Sequence, residues 1–178
     1  KEIRKICNRH DILLTFDEMQ SGFARTGKKF GYEHYDVKPD LICCGKGMGG
    51  GLPISGVIGK SKIMDLPEIG DMSSTHSANP LSCGAGLAVI DEIKSKNLIF
   101  ESKRKGKILL SELEKIKSKF PNIIKYVFGK GLIAAILFKN IKKPKQTNLM
   151  VSKIVEHCMQ SGLLVVHTGR ESIKIGPP

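Results

Sequence analysis

Apolar positions along the first hundred residues come in short runs, each closed by a charge or a glycine. Ile12-Leu13-Leu14-Thr15-Phe16 ends in Asp17-Glu18, a pattern expected of a buried parallel strand with acids at its carboxyl end. Asp40-Leu41-Ile42-Cys43-Cys44 is a second such run and ends in Gly45-Lys46. Between them, residues 21 to 39 form a long loop carrying glycine and aromatic residues, and a loop of that length in a compact domain is usually functional. The glycine-rich turn 47 to 53 follows, then Ile54 to Gly59, too short and too β-branched for a helix.

The period changes after Asn79-Pro80. Leu81 to Lys94 reads as a helix with Ala85, Gly86 and Ala88 on one face, and Leu98 to Phe120 as an amphipathic helix stopped by Pro121. Strands are expected at Ile124 to Phe128 and Leu132 to Phe138, joined by Gly129-Lys130-Gly131. A helix from Val151 to Met159, with Gly162 as its cap, and strands at Leu163 to His167 and Ile173 to Ile175 complete the pattern. The predicted class is therefore α/β with mainly parallel strands over residues 1–96, including the start of a long linking helix, followed by a small α+β unit over 97–178. Position 1 already reads as the inside of a helix and the last residues stop just past a strand, so a fragment of a longer protein is expected.

Composition changes this picture little. At 178 residues and 40% hydrophobic, the chain can bury one good-sized core or two small ones. No apolar run is long enough to span a bilayer. Five cysteines, odd in number and mostly in apolar surroundings, fit reduced thiols in the cytoplasm, and Cys43-Cys44 has no second pair at zinc spacing. The net charge of +12 lies wholly within residues 94 to 145, where fourteen lysines and Arg104 face three glutamates. Such a stretch is a solvated surface or a site for an acidic partner, and it lacks the interleaved aromatics that stack nucleic-acid bases.

Two neighbouring strands thus end in opposite charges, Asp17 and Lys46. Open parallel sheets bind ligands beyond the carboxyl ends of their strands, so these two either pair with each other, face water, or hold a ligand between them. A lysine amine and a carboxylate are the equipment pyridoxal phosphate needs, the first to form a Schiff base with the aldehyde and the second to keep the pyridine nitrogen protonated. Gly45-Lys46-Gly47-Met48-Gly49-Gly50 also matches the dinucleotide fingerprint, but Leu52-Pro53 leads into a strand where that fingerprint must open a helix. The five histidines are scattered, and neither a metalloprotease pair nor a nucleophile elbow is present.

The stretch from Thr15 to Lys28 (Thr15-Phe16-Asp17-Glu18-Met19-Gln20-Ser21-Gly22-Phe23-Ala24-Arg25-Thr26-Gly27-Lys28), then Gly31-Tyr32-Glu33-His34-Tyr35, Pro39-Asp40 and Gly45 to Pro53, resembles in order and spacing the signature of class III (omega-amino acid type) aminotransferases. The resemblance is strong over residues 12 to 90 and looser beyond. It implies a pyridoxal 5'-phosphate enzyme of fold type I, represented by a carboxy-terminal piece that does not complete the site alone. Asp17 would bond the pyridine nitrogen, Met19 would pack on the ring where the family usually has a β-branched residue, and Gln20 would reach the ring hydroxyl. Lys46 would form the Schiff base and carry the proton. Thr75 would bind the phosphate of the neighbouring subunit's cofactor, which implies a homodimer with shared sites; a helix-start hydroxyl near Asn79-Pro80 is the other role open to it. An arginine that clamps the substrate carboxylate in the family is matched by Lys174, a point charge in place of a fork, with Arg170 close by. The implied reaction moves an amino group from an amino acid or amine to a keto acid. The alternatives are a racemase or aminomutase built on the same parts, or an inactive relative that binds partners through its basic second half.

Overall fold

The computed structural model describes residues 1–139 and 144–178, so Lys142 and Lys143 of the basic stretch lie outside the described residues. The chain divides into two compact units, 1–99 and 100–178.

The first unit starts with helix α1 (Glu2–Arg9), followed by β1 (Thr15–Asp17), β2 (Leu41–Cys44) and β3 (Gly56–Gly59), which form a sheet in the order β1-β2-β3. β1 runs parallel to β2, with Thr15 opposite Leu41 and Asp17 opposite Cys43. β3 runs antiparallel to β2, so this α/β sheet combines one parallel and one antiparallel pairing. The reason is length: residues 45–55 supply one 3-10 turn (Lys46–Gly49), whereas a parallel return needs a crossover of a dozen residues or more. Ile12 and Leu13, expected inside a buried strand, precede β1 and are about half exposed, because β1 is an edge strand here.

A short helix, α2 (Ser61–Met64), follows β3, and α3 (Pro80–Ser95) begins where the Asn79-Pro80 pair predicted. Asn79 accepts from the Leu81 and Ser82 backbone N–H groups, and Pro80 sits in the first turn, where its missing N–H costs nothing. α3 lies against the glycine turn through its small face: a Cβ at Gly86 would sit 3.4 Å from the Met48 carbonyl oxygen.

Asp40 fastens the opposite end of the sheet. Its carboxylate is 7% exposed and accepts from Arg4 Nη1 (2.5 Å), Lys60 Nζ (2.6 Å) and the Leu14 N–H (2.8 Å). Those bonds, led by Arg4, hold the carboxyl well below the usual carboxylate range. One side chain thereby ties α1, the entry to β1, β2 and the exit of β3.

The second unit holds most of α4 (Leu98–Lys119), then β4 (Ile124–Lys130), β5 (Ile133–Phe138), α5 (Pro144–Gln160), β6 (Val166–His167) and β7 (Ser172–Ile175). The four strands pair antiparallel in the order β4-β5-β7-β6. Alternation along β5 buries Ala134, Ile136 and Phe138, which join Leu113, Ile124, Val151 and Ile173 in one core. α4 crosses the β4–β5 turn closely: a Cβ at Gly106 would fall 2.3 Å from the Gly131 carbonyl oxygen. α5 begins seven residues before the predicted Val151, at Pro144, and Thr147 in its polar first turns is buried.

Candidate functional site

Parallel pairing brings Asp17 and Lys46 to the same end of neighbouring strands. Asp17 is the last residue of β1, and Lys46 follows β2 by two positions. Both side chains are exposed, and neither enters an ion pair among the described residues, so of the three arrangements open to them they do not pair with each other. Asp17 Oδ1 accepts the Met19 N–H at 3.0 Å, which sets the orientation of the carboxylate. Lys46 sits at φ +49°, in the left-handed region, where a side-chain-bearing residue costs roughly 1–2 kcal/mol. Such a conformation persists only when its surroundings impose it. The glycines beside Lys46 are closely approached: a Cβ would meet Met19 Sδ at Gly45, Ile54 Cγ2 at Gly49 and Val89 Cγ2 at Gly50.

The residue that organises the loop is Glu18, which the sequence pattern noted only as a second acid. Asp17 ends β1 facing out, and Glu18, the next residue, continues the alternation inward and is 1% exposed. The Glu18 carboxylate accepts from the Ser21 hydroxyl and from the Gly31 and Tyr32 N–H groups, at 2.8 and 2.7 Å for the two amides. Its own N–H donates to the Cys43 carbonyl, and its carbonyl accepts from Gly22. The 21–32 segment is thus closed onto the end of β1, and Phe30 stacks on Tyr32 inside it at 6.0 Å between centroids. Burial, with Glu33 and Glu18 nearby, pushes the Tyr32 hydroxyl up. Burial likewise raises the Cys44 thiol, which suits packing rather than nucleophilic chemistry.

The other expected site residues are placed as follows. Gln20 is exposed in the turn after Met19. Thr75 is exposed in the turns that precede α3, and the helix-start role that was open to it is filled by Asn79. Ser74, His76 and Ser77 flank Thr75 and line an open cleft with Pro53, Ser55 and Ser82. Lys174 lies on β7 opposite Ala135 and Val166, half-buried. Arg170 is exposed in the β6–β7 turn, and its carbonyl lies 2.8 Å from His167 Nε2.

The family and the fold of the chain are shared with known proteins. The whole of it, residues 1–178, matches the family described as "Aminotransferase class-III". The chain belongs to the class III aminotransferases. It is 40% identical over 176 residues to an acetylornithine aminotransferase of Prochlorococcus marinus, matching 99% of this chain and 41% of that protein. It is 39% identical over 180 residues to a leucine/methionine racemase of Thermococcus litoralis, matching all of this chain and 40% of that protein. Among solved structures it resembles an ornithine aminotransferase from Plasmodium yoelii (TM-score 0.88, 32% identity, 99% of this chain and 45% of that one). It also resembles an acetylornithine aminotransferase from Elizabethkingia anophelis (TM-score 0.87, 34% identity, 98% and 42%). The chain therefore spans about two-fifths of the length of the relatives it matches. Class III aminotransferases are pyridoxal phosphate enzymes. The donors present here fit that group: a primary amine and a carboxylate at adjacent strand ends, neither committed to an ion pair among the described residues.

Proposed function

We propose that the protein to which this chain belongs transfers an amino group from an amino acid or amine to a keto acid, with Lys46 as the residue that holds pyridoxal phosphate. The observation that carries this reading is the exposed Asp17–Lys46 pair at the carboxyl ends of parallel β1 and β2, with Lys46 held at a left-handed φ. When bound, the cofactor would supply an aldehyde and a protonated ring that draws electrons from a substrate carbon. Asp17, turned by the Met19 N–H, would keep the ring nitrogen protonated. Lys46 would bind the aldehyde covalently and, once its amine is free, move the proton at the substrate carbon. Met19 and Gln20 would lie against the ring and its hydroxyl. Lys174, assisted by Arg170, would attract the substrate carboxylate.

Thr75 would serve the phosphate of a neighbouring subunit, making the protein a homodimer with shared sites. In support, Thr75 has no part in capping α3, and Ile69, Met72 and Leu81 around its loop are exposed apolar side chains of the kind a subunit interface covers. We place the protein in the cytoplasm, a reading supported by its five free cysteines. Racemisation is the second reading, favoured by the 39% identity to the Thermococcus racemase. The domain boundary near residue 96 would mark where the large cofactor domain gives way to the small one.

The test is borohydride reduction of the full-length protein with pyridoxal phosphate, followed by peptide mapping and an amine-donor screen. A stable adduct on Lys46 and amino transfer to a keto acid are expected. An unmodified Lys46, or inversion of an amino acid without amino transfer, refutes the first reading.

A further inference from the structure

We propose that Met19 is a positioning residue, and that its contact with Gly45 sets the separation between Asp17 and Lys46. The proposal rests on the cofactor reading of these two residues given above.

Met19 touches both halves of the pair by different parts of itself. Its backbone is fixed, because the preceding Glu18 is buried and bonded to the Cys43 carbonyl. From that position its N–H holds Asp17 Oδ1. Its side chain reaches across to the neighbouring strand end. A Cβ on Gly45 would fall 2.5 Å from Met19 Sδ and 3.3 Å from Cε, with Ser55 Cβ at 3.5 Å. The thioether therefore occupies the space that a side chain at position 45 would take.

Conformation does not demand glycine at that position. Gly45 has φ 176°, extended backbone that any residue adopts. Room for Met19 is what demands it. The next residue is Lys46, whose left-handed backbone needs firm neighbours. Methionine is unbranched and fills irregular gaps, whereas a β-branched side chain at position 19 lacks the Sδ and Cε atoms that lie on Gly45. Met19 and Gly45 thus act as one fitted pair, and a change in either moves Lys46 relative to Asp17.

The full-length protein provides the test through Met19→Ala, Gly45→Ala and the double variant. The readouts are pyridoxal phosphate affinity, the fraction of Lys46 trapped by borohydride, the pH profile of the visible cofactor absorbance and the thermal midpoint. Each single variant is expected to weaken cofactor binding about tenfold, and the double, in which the new Cβ fills the vacated space, to return to within about threefold of the parent. Additive losses, or single variants that lower only the thermal midpoint and leave affinity and trapping unchanged, overturn the positioning role while leaving the cofactor reading intact. A parent protein not trapped at Lys46 overturns both. If Gly45→Ala does not fold, Met19→Leu against Met19→Ala decides: leucine is expected to retain affinity and alanine to lose it, and equal values overturn the proposal.

Discussion

Replacing Asp40 by alanine removes a side chain that joins α1 to all three strands of the first unit. The Arg4 side chain is 19% exposed and Asp40 7%, so their pair is largely shielded from water. Arg4 Nε has no partner among the described residues, and Nη2 reaches only the Ile12 carbonyl at 3.4 Å. Without Asp40 the guanidinium is left buried and almost unpaired, a change that typically costs about 3–5 kcal/mol. Lys60 is half exposed, and its bond adds less than about 1 kcal/mol. The Leu14 N–H also loses its acceptor, but losses within one network do not add, so about 3–5 kcal/mol is the expected total. Because the folded carboxyl is held below its ordinary value, its contribution is complete above an unfolded pKa of about 3.9 and is lost as pH falls through the folded value. Urea unfolding should show the parent more stable than Asp40→Asn at neutral pH, with the gap narrowing only below about pH 4. Amide exchange at Leu14 should rise in both variants. A cost for Asp40→Ala below about 1 kcal/mol, or a gap that closes between pH 5 and 7, would refute the network as described.

Three further perturbations follow from the same geometry. Glu18→Gln leaves one of the Gly31 and Tyr32 N–H groups facing an amide NH2, so a loss of about 1–3 kcal/mol and faster proteolysis across residues 21–32 are expected. Gly106→Ala should destabilise the second unit by about 1–3 kcal/mol in thermal unfolding, despite alanine's better helix propensity, because the new Cβ meets the backbone of Gly131. Asp17→Asn should lower turnover of the full-length enzyme by roughly 100-fold or more while the protein still binds cofactor, and unchanged turnover would remove Asp17 from the ring-nitrogen role.

Local signals carried most of the element assignments. Asn79-Pro80 marked the start of α3 and Pro121 the end of α4, whereas Gly129 and Lys130, expected in the turn between two strands, pair within β4 and leave Gly131-Leu132 as the turn. Departures arose where the outcome depended on distant partners. The direction of β3 is a local matter instead, set by an eleven-residue connection too short for a crossover. The early start of α5 is hidden because Gln146, Thr147 and Asn148 look like loop residues, although Thr147 is packed inside. At the site, Asp17 and Lys46 stood out as charges ending apolar runs. The work of Glu18 was not legible, because its amide partners lie thirteen and fourteen residues away.

The adjacency of Asp17 and Glu18 constrains how the chain can change in length. Strand alternation sends one carboxylate outward and the other inward, so a single residue inserted within β1 would exchange their roles and abolish both. The same buried carboxylate captures Gly31 and Tyr32, fixing the far end of the loop. Insertions are therefore tolerated chiefly at the exposed Lys28-Lys29 tip, between the buried Thr26-Gly27 and the captured amides. A library that varies loop length at that tip can alter the rim of the site while leaving the strand ends in register.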